Sequence, residues 1–232
     1  MIFAAGLGTR LYPLTANKPK ALVEVCGKPL LEHAITKLVS SGFNNIVINV
    51  HHFGDMIIDY VGKNKFDADI HISDERAELL DTAGGLKFAE PFFKGFDDIL
   101  MYNVDILSDI DLKKLYQSHI KNGSFATLAV KKRETSRYFV FDEGNMQLVG
   151  WKDVKNGTMK KSRDFTDGVS LAFSGIHVVK HEILKEIPAG QKLSMTPLYL
   201  DLAATHNITG YDHSADEWCD VGKIEVLERL NA

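Results

Sequence analysis

The sequence predicts an α/β fold in which parallel strands are joined by helical crossovers. Three observations carry that reading. Short apolar runs suited to buried strands alternate with amphipathic stretches of helical period. A turn of small residues, Ala5-Gly6-Leu7-Gly8, follows the first of those runs directly. Asp105 stands just past another such run, at the strand end where open α/β sheets collect their ligands.

The opening run, Met1 to Ala5, is too short for a helix and reads as a buried strand. After the glycines come three cations, Arg10, Lys18 and Lys20, and no Asp or Glu precedes Glu24. A loop that bares its N–H groups beside uncompensated positive charge is, physically, a polyphosphate site. Arg offers a planar fork and Lys a point charge, and both suit phosphate oxygens. The dinucleotide fingerprint fails, because the place of its third glycine is Leu11. The Walker loop fails too, because Gly27-Lys28 is followed by Pro29. Met1 sits almost on the glycine turn, which points to a natural start a few residues upstream or to a trimmed chain.

Residues 29–41 read as a helix, with Pro29 in the first turn, a stripe of Leu30, Leu31, Ala34, Leu38 and Val39, and Gly42 as the stop. Residues 45–50 form a strand, 54–61 a short helix and 68–72 another strand. His51 and His52 are strand-end polar residues, because neighbours on an extended chain point opposite ways and no third ligand has fitting spacing. Residues 73–80 are polar and acidic, hence a loop. Asp81-Thr82-Ala83-Gly84-Gly85 opens a helix to about Glu90; the glycines suit close approach of a flat ligand, and Asp81 or Thr82 suits a cap.

Residues 98–104 are the next strand, and Asp111 caps a helix over 112–121. Residues 125–130 are a strand. Residues 138–141 and 147–151 flank Asp142-Glu-Gly-Asn145, a hairpin signal. Residues 154–164 are a basic, solvated flap, 168–179 a long strand, 196–206 a helix with Pro197 in its first turn, and 207–212 the last strand. Asp220 lies on a turn before a closing helix from Lys223.

At 232 residues the chain is enough for one large domain or two small ones, and no linker or repeat divides it. A net charge of −4 argues against a general nucleic-acid binder and makes the positive field of the opening loop local. No apolar run is long enough for a membrane span, and there is no signal peptide. Cys26 and Cys219 make no disulfide framework, and the expected location is cytoplasmic.

The whole opening string, Ala-Ala-Gly-x-Gly-Thr-Arg-Leu-x-Pro-Leu-Thr with Lys-Pro-Lys following, resembles the signature of the sugar-1-phosphate nucleotidyltransferases. The resemblance covers nearly the whole chain, residues 1–232, and is strongest at its two ends. It implies a single Rossmann-like α/β domain with a mixed, mostly parallel sheet flanked by helices. It also implies transfer of a nucleotidyl group from a nucleoside triphosphate to a sugar 1-phosphate, with Mg²⁺ as cofactor, in a monomer or small homo-oligomer. Arg10 and Lys20 are then the catalytic cations. Ala5, Gly6, Gly8, Thr9, Thr82, Gly84, Gly85 and Asn103 are the expected nucleotide contacts. Lys152 and Gly175 are the expected sugar-phosphate contacts, and Asp105 and Asp220 the metal carboxylates. Val104 departs from the family, where glycine is common at that place. The segments Leu79 to Leu86 and Glu217 to Gly222 look most like small uridylyltransferases acting on N-acetylmuramate 1-phosphate. Mannose- and heptose-1-phosphate guanylyltransferases are near alternatives. Rival classes are a phosphocholine cytidylyltransferase, which needs an aromatic or acidic cage, and a silent nucleotide sensor of the same fold.

Overall fold

The apolar opening run is buried from Met1 to Ala5, and Ile2–Phe3 forms a strand, β1, inside the main sheet. The structure, a computed structural model, describes residues 1–231. The further strands are β2 (Glu24–Val25), β3 (Lys28–Pro29), β4 (Asn45–Val50), β5 (Asp69–Asp74), β6 (Asp98–Asn103) and β7 (Ile106–Ser108). They continue with β8 (Ala126–Lys131), β9 (Arg137–Asp142), β10 (Leu148–Asp153), β11 (Thr158–Lys161), β12 (Gly168–Lys180), β13 (Ile208–Asp212) and β14 (Trp218–Asp220). The helices are α1 (Leu30–Ser40), α2 (Gly54–Lys63), α3 (Asp81–Phe88), α4 (Leu112–Lys121), α5 (Met195–Leu202) and α6 (Ile224–Asn231).

Ten strands form one mixed sheet in the order β11-β10-β9-β12-β6-β1-β4-β5, with β8 on β12 and β13 on β8. Around the glycine turn the sheet is parallel: β1 pairs with β4 and β6, and β4 with β5. Alternate residues feed two cores, one on each face. Phe3, Val47 and Met101 pack with α3 and α5, while Ile2, Ile48 and Tyr102 pack with α1 and α4. Both faces are therefore covered, which is why these strands read as unbroken apolar runs.

β12 joins the parallel half to an antiparallel half. Gly168 to Leu171 pair with β9, Ile176 to Lys180 pair with β6, and the register on β8 shifts between Phe173 and His177. Gly175, at φ +76°, sits in that shift; a Cβ there would lie 2.8 Å from Asn103 Nδ2.

Several boundaries differ from the sequence reading. Pro29 ends β3 and stands just ahead of α1, because its extended ψ of 146° lets the chain turn into the helix from the β2–β3 hairpin. The expected flap over 154–164 contains β11, which pairs antiparallel with β10. Its turn is made by Asp153 Oδ1, which accepts from the Lys155 and Asn156 amides, and by Gly157 at φ +64°. The acidic loop after β5 is not solvated throughout, since Glu75 is only 2% exposed.

Two histidines are sealed in the cores. His177 donates to or accepts from the Tyr199 hydroxyl at 2.6 Å, and burial pushes its pKa down to about 3. His119 lies between Thr127 Oγ1 and Asp98, and burial lowers its pKa as well. The folded state therefore binds fewer protons than the unfolded chain, whose imidazoles titrate near 6.5. Stability should be full above about pH 6.5 and fall as the pH drops below it, by about 1.4 kcal/mol from His177 at one unit below, with His119 acting in the same direction. Urea denaturation at pH 7.5 and 5.5 measures this slope, and a flat profile would refute the assignment.

Candidate active site

The turn after β1 is built to expose its backbone on one side only. Asn49, 2% exposed at the end of β4, accepts from the Ala4 amide at 2.7 Å and the Ala5 amide at 3.3 Å. The Ala5 N–H is thus turned toward Asn49. Gly6 is exposed, and a Cβ added there would meet nothing within 4 Å, so no protein group fills that space. Gly8, at φ +66°, turns the chain into the one-turn 3₁₀ helix Thr9–Leu11, and its carbonyl accepts from Thr15 Oγ1 at 3.0 Å. Leu11 is fully buried and anchors that turn, which leaves Arg10 projecting outward.

Arg10, Lys20, Asp105 and Asp220 meet at the mouth of this turn. Lys20 Nζ donates to Asp105 Oδ2. Arg10 reaches Asp105 Oδ2 at 3.8 Å with one Nη and Asp220 Oδ2 at 3.6 Å with the other. The two aspartates are 115 positions apart and are joined by a ribbon absent from the sequence reading. β14 pairs antiparallel with β7, Asp220 opposite Ile106, and the Val221 amide donates to the Asp105 carbonyl at 2.8 Å. Asp105 and Lys20 side chains are 15% and 11% exposed, so this pair is largely shielded from water. Asp220 Oδ1 is buried and has no partner. Two hard-oxygen carboxylates facing one guanidinium, one of them with an orphaned oxygen, suit a divalent cation whose remaining ligands come from water and a bound phosphate. Among the described residues no cluster of three or more His, Cys, Asp or Glu offers a self-sufficient metal site. His51 instead bonds the Glu75 carbonyl at 2.7 Å, and His52 packs tilted against the Phe53 ring.

Next to these charges lies a cavity of about 380 Å³. Its lining includes Ala5, Gly6, Lys20, Thr82, Asn103 and Asp105 from the expected set. Gly8 and Thr9 do not line it; they shape the turn that carries Arg10. Gly84 and Gly85 are buried away from it. A side chain at Gly84 would strike the Gln191 carbonyl, and one at Gly85 would lie 2.7 Å from Glu75 Oε1, so close packing explains both glycines. Neither Asp81 nor Thr82 caps α3 in the expected way: Thr82 Oγ1 accepts from the Met195 amide at 2.9 Å. Gly175 packs on Asn103. Lys152 lies over the Tyr138 ring at 5.5 Å, on the opposite face of β10 from Trp151, and lines no part of the cavity.

Sequence reasoning missed Asn49, Glu75 and Lys192 in the lining. Asn49 Nδ2 donates to Glu75 Oε1 at 2.9 Å, and burial raises the Glu75 carboxyl above its usual range. A lone Asn inside an apolar strand was the available signal. Lys192 sits in a segment without periodicity, pinned where the Ala83 and Gly84 amides donate to the Leu193 carbonyl.

The family model described as "Nucleotidyl transferase" matches residues 1–232. The chain belongs to that family. It is 31% identical to an N-acetylmuramate α-1-phosphate uridylyltransferase of Caulobacter vibrioides, over 90% of this chain and 86% of that protein. It is 31% identical to the enzyme of the same name from Neisseria meningitidis, over 100% and 96%. A solved UDP-glucose pyrophosphorylase from Acinetobacter baumanii superposes with a TM-score of 0.79 over 99% of this chain and 90% of that one, at 17% identity, and so shares the fold. In this nucleotidyl transferase the two ends of the chain, which carry the opening string and the Asp220 turn, are in direct contact.

Gly222 makes that contact close. A Cβ there would lie 2.5 Å from both Arg10 Nη2 and Asp220 Oδ1. Gly222→Ala should displace both groups and lower kcat about tenfold or more, with little change in the unfolding midpoint. Unchanged turnover would remove the constraint.

Proposed function

We propose that the chain transfers a nucleotidyl group from a nucleoside triphosphate to a sugar 1-phosphate, releasing pyrophosphate. The observation that carries this reading is the meeting of Arg10, Lys20, Asp105 and Asp220 beside a cavity opened by the bare Gly6 turn. A phosphate oxygen of the acceptor attacks the α-phosphorus; the bond from that phosphorus to the bridging oxygen breaks, and pyrophosphate leaves with the electron pair. A phosphate monoester is already anionic near neutrality, so the chain needs no general base. Its task is alignment and charge neutralisation. The Gly6 turn, Arg10 and Lys20 hold the triphosphate and stabilise charge on the leaving group. Thr82, Asn103, Asn49 and Glu75 wall the nucleoside. Asp105 and Asp220 would hold Mg²⁺, which when bound offsets repulsion between the two anions. UTP and N-acetylmuramate 1-phosphate are the first substrates to test, and GTP with mannose or heptose 1-phosphate the next. A cytoplasmic site of action belongs to the same proposal.

A phosphocholine acceptor is disfavoured. Its trimethylammonium needs free aromatic faces or carboxylates. The Trp218 ring already carries Arg133 at 4.2 Å and the Tyr138 ring carries Lys152. A silent sensor is disfavoured because both cations and both carboxylates are in place.

The direct test sets four nucleoside triphosphates against several phosphorylated acceptors, with pyrophosphate release as readout; silence across the panel would overturn the proposal. Asp105→Asn and Asp220→Asn keep shape and remove one charge each. If both act through one ion, each should cut Mg²⁺-dependent turnover severely, and the double variant should cost little beyond the worse single one. Fully additive losses, or activity surviving in chelator, would separate the two aspartates.

Arg10→Ala should lower kcat about a hundredfold. In the nucleotide-free protein the same change should tighten Mn²⁺ binding, because the guanidinium no longer competes for the two carboxylates. Looser Mn²⁺ binding would contradict the arrangement.

A further inference from the structure

A second cavity, of about 460 Å³, has Arg133, Trp151, Phe173, Ser194 and Thr196 in its wall. Lys192 lines the first cavity and Ser194, two positions on, the second. Three cations line the second cavity, and two of them belong to solvent. The Arg137 side chain is 71% exposed and pairs with Asp153, and Lys160 is exposed. Arg133 differs from both: it is half-buried, and burial lowers its pKa.

Two neighbouring carbonyls of β12 set its position. One Arg133 Nη donates to the Phe173 carbonyl at 2.8 Å, and Trp218 Nε1 donates to the next carbonyl, that of Ser174, at 2.9 Å. The guanidinium lies over the Trp218 ring, 4.2 Å from its centre. Trp218 and Asp220 stand two positions apart on β14, hence on one face of it, and the Asp220 carboxylate acts on Arg133 electrostatically. Arg133 therefore borders the second cavity and the Asp220 end of the charged cluster at once.

Its hydrogen-bonding capacity is largely unused. Among the described residues no carboxylate forms an ion pair with Arg133, and Asp220 is paired with Arg10 instead. The Phe173 carbonyl takes its one hydrogen bond to the protein, and its buried Nε has no partner. A guanidinium stacked on a ring keeps its donors in the plane of the fork, directed away from the ring. Leaving such donors unmade in a shielded place is costly, and an anion with several oxygens satisfies them.

Two anions enter the proposed reaction. The triphosphate has Arg10, Lys20 and the Gly6 turn, around a first cavity that Arg133 does not line. The acceptor phosphate has no cation so far, because Lys152 lies over Tyr138 on the other face of β10.

We propose that Arg133 binds the phosphate of the acceptor and presents it toward Asp220. This rests on the nucleotidyl-transfer reading and adds the residue that holds the nucleophile. A planar fork can take two phosphate oxygens and leave the third for attack, and the Trp218 ring fixes the plane of that fork.

The experiment is steady-state kinetics of the wild type, Arg133→Met and Arg133→Lys with N-acetylmuramate 1-phosphate and mannose 1-phosphate. It is paired with equilibrium dialysis of the same two compounds against nucleotide-free protein. Arg133→Met keeps an unbranched stem on Trp218 and removes the charge. It should raise acceptor KM roughly fiftyfold and weaken dialysis binding to match, with nucleotide KM and Mg²⁺ dependence unchanged. Arg133→Lys keeps the charge without the fork and should raise acceptor KM about tenfold. It carries the test if the Met variant does not fold. An arginine that only supports Trp218 would behave differently: its loss would free Asp220, shift the Mg²⁺ dependence and leave acceptor KM alone. That result, or an acceptor KM unchanged in both variants, would overturn the proposal and leave nucleotidyl transfer standing. Sugar 1-phosphate binding that needs Arg133, with no transfer from any nucleoside triphosphate, would keep Arg133 as a phosphate ligand and overturn the transfer reading. Neither binding nor transfer would overturn both.

Discussion

Lys20, Asp105, Arg10 and Asp220 form an alternating row of charges, and the site depends on their mutual cancellation. A half-buried carboxylate left without a partner is costly, and so is a half-buried ammonium. In the ligand-free protein each makes an ion pair with a neighbour, and Asp220 Oδ1 is left without a partner. In the proposed reaction the same groups would take other partners: the cations phosphate oxygens, the carboxylates a metal ion. Binding in that reaction would be an exchange of ion pairs, with Lys20 and Asp105 already largely shielded from water. That is the form of preorganisation electrostatic catalysis requires. It also couples the two ligands, since a triphosphate that draws Arg10 and Lys20 away leaves Asp105 and Asp220 free for a cation.

The row exists because short backbone devices hold it. Gly8 in its left-handed conformation turns the chain so that Leu11 is buried and Arg10 is not. The β7–β14 ribbon sets Asp220 beside Asp105. Gly222 leaves the guanidinium room. Each device is two or three residues long and none is stable alone. The two cores beneath them supply the rigidity, with β1 buried on both faces directly before the glycine turn.

Much of the parallel half was legible in the sequence, because buried parallel strands and amphipathic helices leave clear periods. Asp111 as the cap of α4 was legible too, and its side chain accepts from the Lys113 and Lys114 amides. The opening string pointed to Arg10, Lys20 and Gly6, and the structure brings Arg10 and Lys20 together at Asp105, with Gly6 and Lys20 lining the cavity beside it. Gly84, Gly85 and Gly175 are each packed closely against protein groups. A glycine signals close approach but not of what, and here the partners are the Gln191 carbonyl, Glu75 and Asn103. β11 was missed although Asn156-Gly157 is a strong hairpin signal, because the lysines around it read as solvated loop. Strand alternation puts Trp151 on the wall of the second cavity and Lys152 on the other face of β10.

The division between what was legible and what was not follows the division of labour in the sheet. The parallel half carries the glycine turn and the cations beside it, and these residues fall into a compact string. The antiparallel half, β8 to β12, lines the second cavity, of about 460 Å³. Its contacts are spread over separate strands: Arg133 after β8, Arg137 on β9, Trp151 on β10, Lys160 on β11. Such residues form no motif, because their neighbourhood is made by cross-strand register. β12 carries both halves, pairing with β9 before Gly175 and with β6 after it. Substitutions on β9 to β11 can therefore change the wall of that cavity while the opening string stays fixed.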